Sequence, residues 1–497
     1  MDMTDFYSTR RGTEPARGRR RPKRFATVGA LAVSLSLLFA ACGGGAEESP
    51  GGPGATGPAT SPATGESPGT GESPGTGESP SPGTGEGGIQ PPEGDVSLVV
   101  WNPFTGPDGN FFNEIVDDFN SEHPNIQVEV QTQPGGEYVQ RLEAAASANE
   151  LPHVIAAGYD ALPGLVETGI VIPADELAQQ GGYDASMFPE AIWNAGQWKD
   201  QRVGIPIDTH PMVFYYNKAL FEEAGLDPES PPTDRESFEA AITAISEKTD
   251  ADGYQMVSSG PGANFLVGIQ FAALFYQGGG QWTNEDYSEA TFNSEAGVQA
   301  AEYLKHLVTD LNVPMVESDA EINAFQQGNN GMVMSGIWET TRYSDALGDD
   351  LGVAPVPEIF GPGTWGGSHN FAVTAAVQDD ENAKQGAYYF IDWFSRNSLQ
   401  WGAAGQIPAR NEVRESDEFQ NATGEGLLPL ISQMAPLAEA VQFLPTIPGG
   451  GDILFAGQGA GEAAVLAING SDAKQALDAA AEYNTELLAQ NKERYGY

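Results

Sequence analysis

The sequence predicts an α/β fold arranged in two lobes. Strand-like and helix-like hydrophobic periods alternate from about Val96 onward, and the first strand reads as one nearly continuous apolar run. The folded part, roughly 400 residues, also exceeds what one core usually holds.

Val96–Trp101 (VSLVVW) has the unbroken apolar character of a buried parallel strand. Phe112, Ile115, Val116 and Phe119 follow at helical spacing and make one apolar stripe. Ile126, Val128 and Val130 alternate as a second strand. Tyr138, Leu142 and Ala145 suggest an amphipathic helix, and His153–Ala157 a third strand. Further short strands are expected at Val213–Tyr216, Met332–Ser335 and Phe371–Thr374. Helices are expected over Ala296–Leu311, Ala383–Phe394 and Ala473–Gln490.

Composition narrows the function classes. The 497 residues carry 23 Lys+Arg against 69 Asp+Glu, a formal charge of −46, with 40% hydrophobic residues. That hydrophobic content supports globular folding, while the charge repels nucleic acid and anionic lipid headgroups. One cysteine excludes an intrachain disulfide and a Cys-rich zinc site. His123, His153, His210, His306 and His369 show no HxH or HExxH spacing, so no metal and no cofactor are expected.

The N-terminus reads as a processing segment. Residues 10 to 24 hold eight basic residues, and an apolar stretch from Phe25 to Ala41 follows. The stretch is shorter than the roughly 20 residues that span a bilayer, so residues 1–41 read as an export signal. Phe39-Ala40-Ala41-Cys42 resembles the bacterial lipobox, with Phe39 in place of the usual Leu. Cys42 is the expected lipidation site, which implies a chain anchored to the outer face of the cytoplasmic membrane. Residues 42–94 form a Gly/Pro/Ser/Thr/Glu-rich linker in which TGESPG recurs at Thr64–Gly69 and Thr70–Gly75. Its only aliphatic side chain beyond alanine is Ile89, so an extended, disordered tether is expected. The GxGxxG match at Gly52–Gly57 lies in this low-complexity stretch with no preceding strand and is not a dinucleotide site.

Four stretches carry a family resemblance. They are VVWNPFTGPDGNFFNEIVDDFNSEHPNIQVEV (Val99–Val130), LPHVIAAGYDALPGLVETGIVIPADEL (Leu151–Leu177), VGIPIDTHPMVFYYNKALFEEAGLD (Val203–Asp227), and a fourth from AFQQGNNGMVMSGIWE (Ala324–Glu339) through WGGSHNFAV to GQIPAR, ending at Arg410. In order and spacing the chain resembles the family 1 extracellular solute-binding proteins of bacterial ABC importers, among them maltose-binding and glycerol-phosphate-binding proteins. The resemblance implies a two-lobed periplasmic-binding-protein-like fold of type II, with an interlobe cleft and hinge crossings. Those crossings would fall near Pro206–Pro211, Val353–Pro357 and Gly405–Arg410. Lobe 1 would comprise 95–208 plus 356–406, and lobe 2 would comprise 209–355 plus 407–497. The implied function is capture of a carbohydrate and delivery to ABC importer permease subunits, by a membrane-tethered monomer with no nucleic-acid partner.

A sugar site needs flat apolar faces for pyranose C–H groups and planar donors and acceptors for hydroxyls. Trp338 leaves the strand Met332–Ser335 at its carboxyl end, where ligands of open α/β sheets collect, and the family stacks sugar on a tryptophan at this spot. Trp365 lies in the glycine-rich stretch Gly361–Gly367, read as a mobile loop near a crossing. Asp160 follows the strand ending at Ala157, where the family often places an aspartate; Ala157 and Ala161 depart from the maltose-binding pattern. Asp208 and His210 crowd an apolar segment at the first expected hinge. Thr105 and Asp108 in the first loop, Asn264, His369 and Arg410 complete the ligand-binding candidates; Arg410 would supply a planar five-donor group. Trp193, Trp198, Trp282, Trp393 and Trp401 read as packing or surface aromatics.

Two other function classes find less support in the sequence. A hydrolase using paired carboxylates has no distinguishing signal among 69 acidic residues, and the folded part holds no GxSxG, P-loop or HExxH motif. An adhesin predicts repeats in the folded part, which the sequence lacks. A neutral di- or oligosaccharide fits better than a phosphorylated polyol, because among the candidates only Arg410 is permanently cationic.

Overall fold

The computed structural model describes residues 88–424 and 426–497. The export signal, Cys42 and the repeats of the linker lie outside the described residues. The linker read from sequence ends at 94, yet Ile89 is already in the core at 5% exposure. Its N–H donates to Asp392 Oδ2 at 3.3 Å, and Gln385 Nε2 donates to the Gln90 carbonyl at 2.7 Å. The segment's one aliphatic side chain is what docks it.

The strands that place the site are, in chain order, β1 (Val96–Asn102), β2 (Ile126–Thr132), β3 (Val154–Gly158), β4 (Ile205–Pro206), β5 (Asp208–Asn217) and β6 (Met332–Gly336). They continue with β7 (Leu351–Pro355), β8 (Thr364–Gly367), β9 (His369–Val373), β10 (Ile407–Pro408) and β11 (Val441–Gln442). The first sheet has the order β2-β1-β3-β9-β4, with β1 parallel to β2 and β3, and β9 antiparallel to β3 and β4. Phe371 of β9 packs against Phe112, Phe390 and Phe394, whose ring centroids lie 6.1, 5.6 and 5.0 Å away. The apolar stripes of the helices Asp108–Glu122 and Glu381–Arg396 thus cover this sheet, as their 3.6-residue period requires.

The second sheet is built on β5, whose ten residues are all buried. Its C-terminal half lies between β6 and β7, both antiparallel, with Met334 and Ala354 each facing Phe214. Its N-terminal half pairs with β8 at Pro211 and His210 and with β10 at Thr209 and Asp208. The helix Ala263–Gln277 (ANFLVGIQFAALFYQ) is apolar nearly all round, and its buried residues join the adjoining core.

Three chain passages connect the sheets side by side. The first runs from β4 through Ile207 into β5, the second from β8 through Ser368 into β9, and the third is at β10. Ser368 Oγ donates to the Asp208 carbonyl at 2.7 Å, Thr209 Oγ1 to the Gly367 carbonyl at 2.9 Å, and the Ala409 N–H to the Ile207 carbonyl at 3.1 Å. The first and third fall within the stretches Pro206–Pro211 and Gly405–Arg410. The second falls at Ser368 and not near Val353–Pro357, because residues 364–367 form a strand paired with β5 and β11. The same pairing corrects the reading of Trp365 as part of a mobile loop: it is a strand residue, 4% exposed.

Candidate functional site

Several chain segments converge where the two sheets meet. They enclose a cavity of about 570 Å³, within the usual range for small-ligand sites. The first sheet contributes Phe104, Thr105 and Asp108 after β1, Tyr159 and Asp160 after β3, and His369 at the start of β9. The second contributes His210 of β5, Trp338 and Glu339 after β6, Arg342, and Trp365 of β8. Phe265, Gln406 and Phe455 complete its apolar and amide lining.

Trp338 is half-buried and leaves β6 where sequence reasoning put it. Its indole lies over Gly336, where a Cβ would stand 2.0 Å from the ring carbons. Glycine is required there for the ring to lie flat against the strand end. Gly336→Ala should therefore cost about 1–3 kcal/mol in denaturant unfolding, the usual cost of overpacking, and tilt the indole. An unchanged unfolding midpoint would show that the ring position does not depend on Gly336. His210 packs edge-on between Trp338 and Trp365, with centroids at 5.7 and 6.2 Å.

The carboxylates differ in their surroundings. Asp108, 7% exposed, accepts from Gln406 Nε2 at 3.3 Å, and burial lifts its carboxyl above the ordinary range against the nearby His369. Asp160 lies against the backbone of Gly158 and Gly451, and burial, with Asp452 nearby, raises it as well. Glu339 pairs with Arg342 at 3.2 Å, but burial outweighs the guanidinium and raises it too.

Asp208 behaves oppositely. It is fully buried behind the cavity wall, and burial alone would raise it. Two histidines and two further donors reverse this. Oδ1 accepts from His210 Nδ1 at 3.2 Å and from the His369 N–H at 2.8 Å. Oδ2 accepts from His369 Nδ1 at 2.9 Å and from Trp401 Nε1 at 2.8 Å. Asp208 is thereby held well below the ordinary carboxylate range. Its charge lifts His369 above the usual imidazole value in spite of burial, whereas burial and the charge on His369 push His210 down.

Of the sequence candidates, Thr105, Asp108, Asp160, His210, Trp338, Trp365 and His369 line the cavity. Three do not. Asp208 acts through the two histidines it orients. Asn264 donates from Nδ2 to the Phe455 carbonyl at 2.7 Å, so it fixes a lining segment without facing the cavity. Arg410 is turned away: it pairs with Glu412 at 3.1 Å and bonds Ser395 Oγ at 3.4 Å. Trp401, read as a packing aromatic, is fully buried and also holds Asp208.

Sequence reasoning missed Tyr159, Glu339 and Arg342, although Tyr159 and Glu339 sit beside chosen residues at the same strand ends. It also missed Phe265, Gln406 and Phe455, which long-range packing alone brings in. Histidine spacing gave no metal signal, yet Asp208, His210 and His369 offer ligand atoms within 4.8 Å of one another. The third of them comes from a strand far along the chain.

A family model described as bacterial extracellular solute-binding protein matches residues 114–424. The sn-glycerol-3-phosphate-binding periplasmic protein UgpB of Rhizobium meliloti (strain 1021) is 26% identical over 431 residues, 79% of this chain and 94% of that protein. Its namesake from Brucella melitensis biotype 1 is 26% identical over 373 residues, 68% of this chain and 81% of that protein. Among solved structures, the GacH receptor of Streptomyces glaucescens GLA.O superposes with a TM-score of 0.68 at 21% identity, covering 80% of this chain and all of that one. The cyclic alpha-maltosyl-1,6-maltose binding protein of Arthrobacter globiformis gives a TM-score of 0.65 at 24% identity, over 80% of this chain and all of that one. These two are likenesses of fold.

Proposed function

Because the chain belongs to the bacterial extracellular solute-binding proteins and has their two-lobed α/β fold, we propose that it captures a neutral di- or oligosaccharide between its lobes and delivers it to the permease of an ABC importer. It is a binding protein, not an enzyme, and it works outside the cytoplasm. The hinge would be the three adjacent passages at Ile207, Ser368 and Ile407. Closure would bring Asp108, Asp160 and His369 from one lobe against Trp338, Arg342 and Trp365 from the other.

The cavity lining carries this reading. Trp338, Trp365, Tyr159 and Phe265 supply flat apolar faces, and Asp108, Asp160, Glu339 and Gln406 supply hydroxyl partners between them. Carboxylates accept from uncharged hydroxyls, whereas they repel an anionic ligand. The relatives named above are glycerol-phosphate binders, and a phosphate needs several free cationic donors. Here Arg342 is the only lysine or arginine among the described lining residues, and Glu339 already holds it. A thermal-shift screen against sugars, polyols and polyol phosphates tests the reading, since a bound ligand raises the melting temperature with its concentration over Kd. A rise with disaccharides supports it, and a rise with phosphorylated polyols alone overturns it.

Anchoring by Cys42 belongs to the same proposal and rests on the lipobox-like residues before it. Cys42→Ala should abolish incorporation of labelled fatty acid and release the protein from the membrane. Undiminished labelling would contradict the anchor.

A further inference from the structure

One cluster in the cavity wall goes beyond stacking and hydroxyl recognition. We propose that Asp208, His210 and His369 bind a divalent transition ion of the zinc class in the wall of the cavity.

Two imidazole nitrogens and a carboxylate form a donor set that zinc-like ions favour. His210 Nδ1 lies 3.2 Å from Asp208 Oδ1, and His369 Nδ1 lies 2.9 Å from Oδ2. An ion about 2.0–2.2 Å from both nitrogens and both carboxylate oxygens would span each of these separations at an angle of about 90–100°, compatible with five-coordinate geometry. The two imidazole ring centroids lie 4.2 Å apart, with the ring planes inclined by 31°. Both histidines line the cavity, so an ion they hold would sit in its wall.

The surroundings are those of a supported site. A carboxylate oxygen has two lone-pair directions, and each oxygen of Asp208 has one taken by a fixed donor that is not an imidazole. These donors are the His369 N–H at 2.8 Å on Oδ1 and Trp401 Nε1 at 2.8 Å on Oδ2. Such outer contacts orient a ligating carboxylate and leave its other direction free. The three ligands sit on strands, not loops. Asp208 and His210 start β5, His369 starts β9, and the Ile207 N–H bonds the His369 carbonyl at 2.9 Å. Asp108 and Asp160, close enough to act on His369, add negative potential that favours a cation.

The test uses the full chain, stripped with a chelator, dialysed, and titrated with Co²⁺ in the absence of any saccharide. Failure here therefore leaves the saccharide reading standing, and the reverse also holds. The expected result is one equivalent of Co²⁺ with strong visible bands of nitrogen-ligated geometry, displaced by Zn²⁺. The spectrum matters because so acidic a surface takes up cations through carboxylates alone, without those bands. His210→Gln and His369→Gln should each weaken uptake at least about tenfold, and the double variant should abolish the bands. His153→Gln, which alters a histidine bonded to the Val99 N–H, should leave uptake unchanged. Circular dichroism establishes that each variant is folded; should one not fold, the wild-type spectrum alone decides. A wild-type protein without nitrogen-ligated bands, or bands that persist in the double variant, would overturn the proposal.

Discussion

Asp208→Asn should lower the stability of the metal-free protein by about 3–5 kcal/mol, the usual cost of removing one partner of a buried ion pair. Asp208 is fully buried and accepts four hydrogen bonds, two of them from the imidazoles and one from Trp401. Asparagine keeps the shape but removes the charge, and its amide group would face N–H donors. The loss should depend on pH in a defined direction. Asp208 titrates lower when folded, so its contribution is present above the ordinary carboxylate value of 3.8 and fades as the pH falls through the folded value. His369 titrates higher when folded, so its contribution is full below the ordinary imidazole value of 6.5 and fades as the pH rises through the folded one. The difference between wild type and variant should therefore be greatest between those two values and shrink at alkaline pH. Denaturant melts across that range measure it. A pH-independent difference would show that the ion pair is not what Asp208 supplies.

Trp338→Ala should weaken ligand binding by about 1–3 kcal/mol, through lost ring burial against the ligand and admitted water. Its effect on stability should be smaller than the about 3–5 kcal/mol of a core tryptophan, because the indole is only half-buried. Calorimetric titration beside denaturant melts separates the two. Unchanged affinity with a large stability loss would make Trp338 a core residue.

Much of the fold was legible because its signals are local. The stripe Phe112, Ile115, Val116, Phe119 and the alternation Ile126, Val128, Val130 each fix an element and its buried face within one short window. Trp338 and Asp160 were legible for a related reason, since a strand's end directs the following residues into the crevice. The strand Thr364–Gly367 was hidden by its glycines. Gly367 must lack a Cβ because one would stand 2.1 Å from His210 Nε2, so close packing looked like loop composition. Arg410 misled because charge type says nothing about direction, and Glu412 and Ser395 turn it away from the cavity. Phe455 and Gln406 reach the cavity through packing between distant segments. The His210–Asp208–His369 cluster is equally invisible to spacing rules, since it joins the starts of two strands from separate passages between the sheets.

Calorimetric titration of the full chain with a neutral disaccharide, a neutral oligosaccharide and glycerol 3-phosphate, each against wild type and Trp338→Ala, tests the central claim most directly. The account predicts saturable binding of a neutral saccharide that weakens about 5- to 150-fold in the variant, with no binding of the phosphate. Binding of glycerol 3-phosphate alone, with an affinity that Trp338→Ala leaves unchanged, would contradict it.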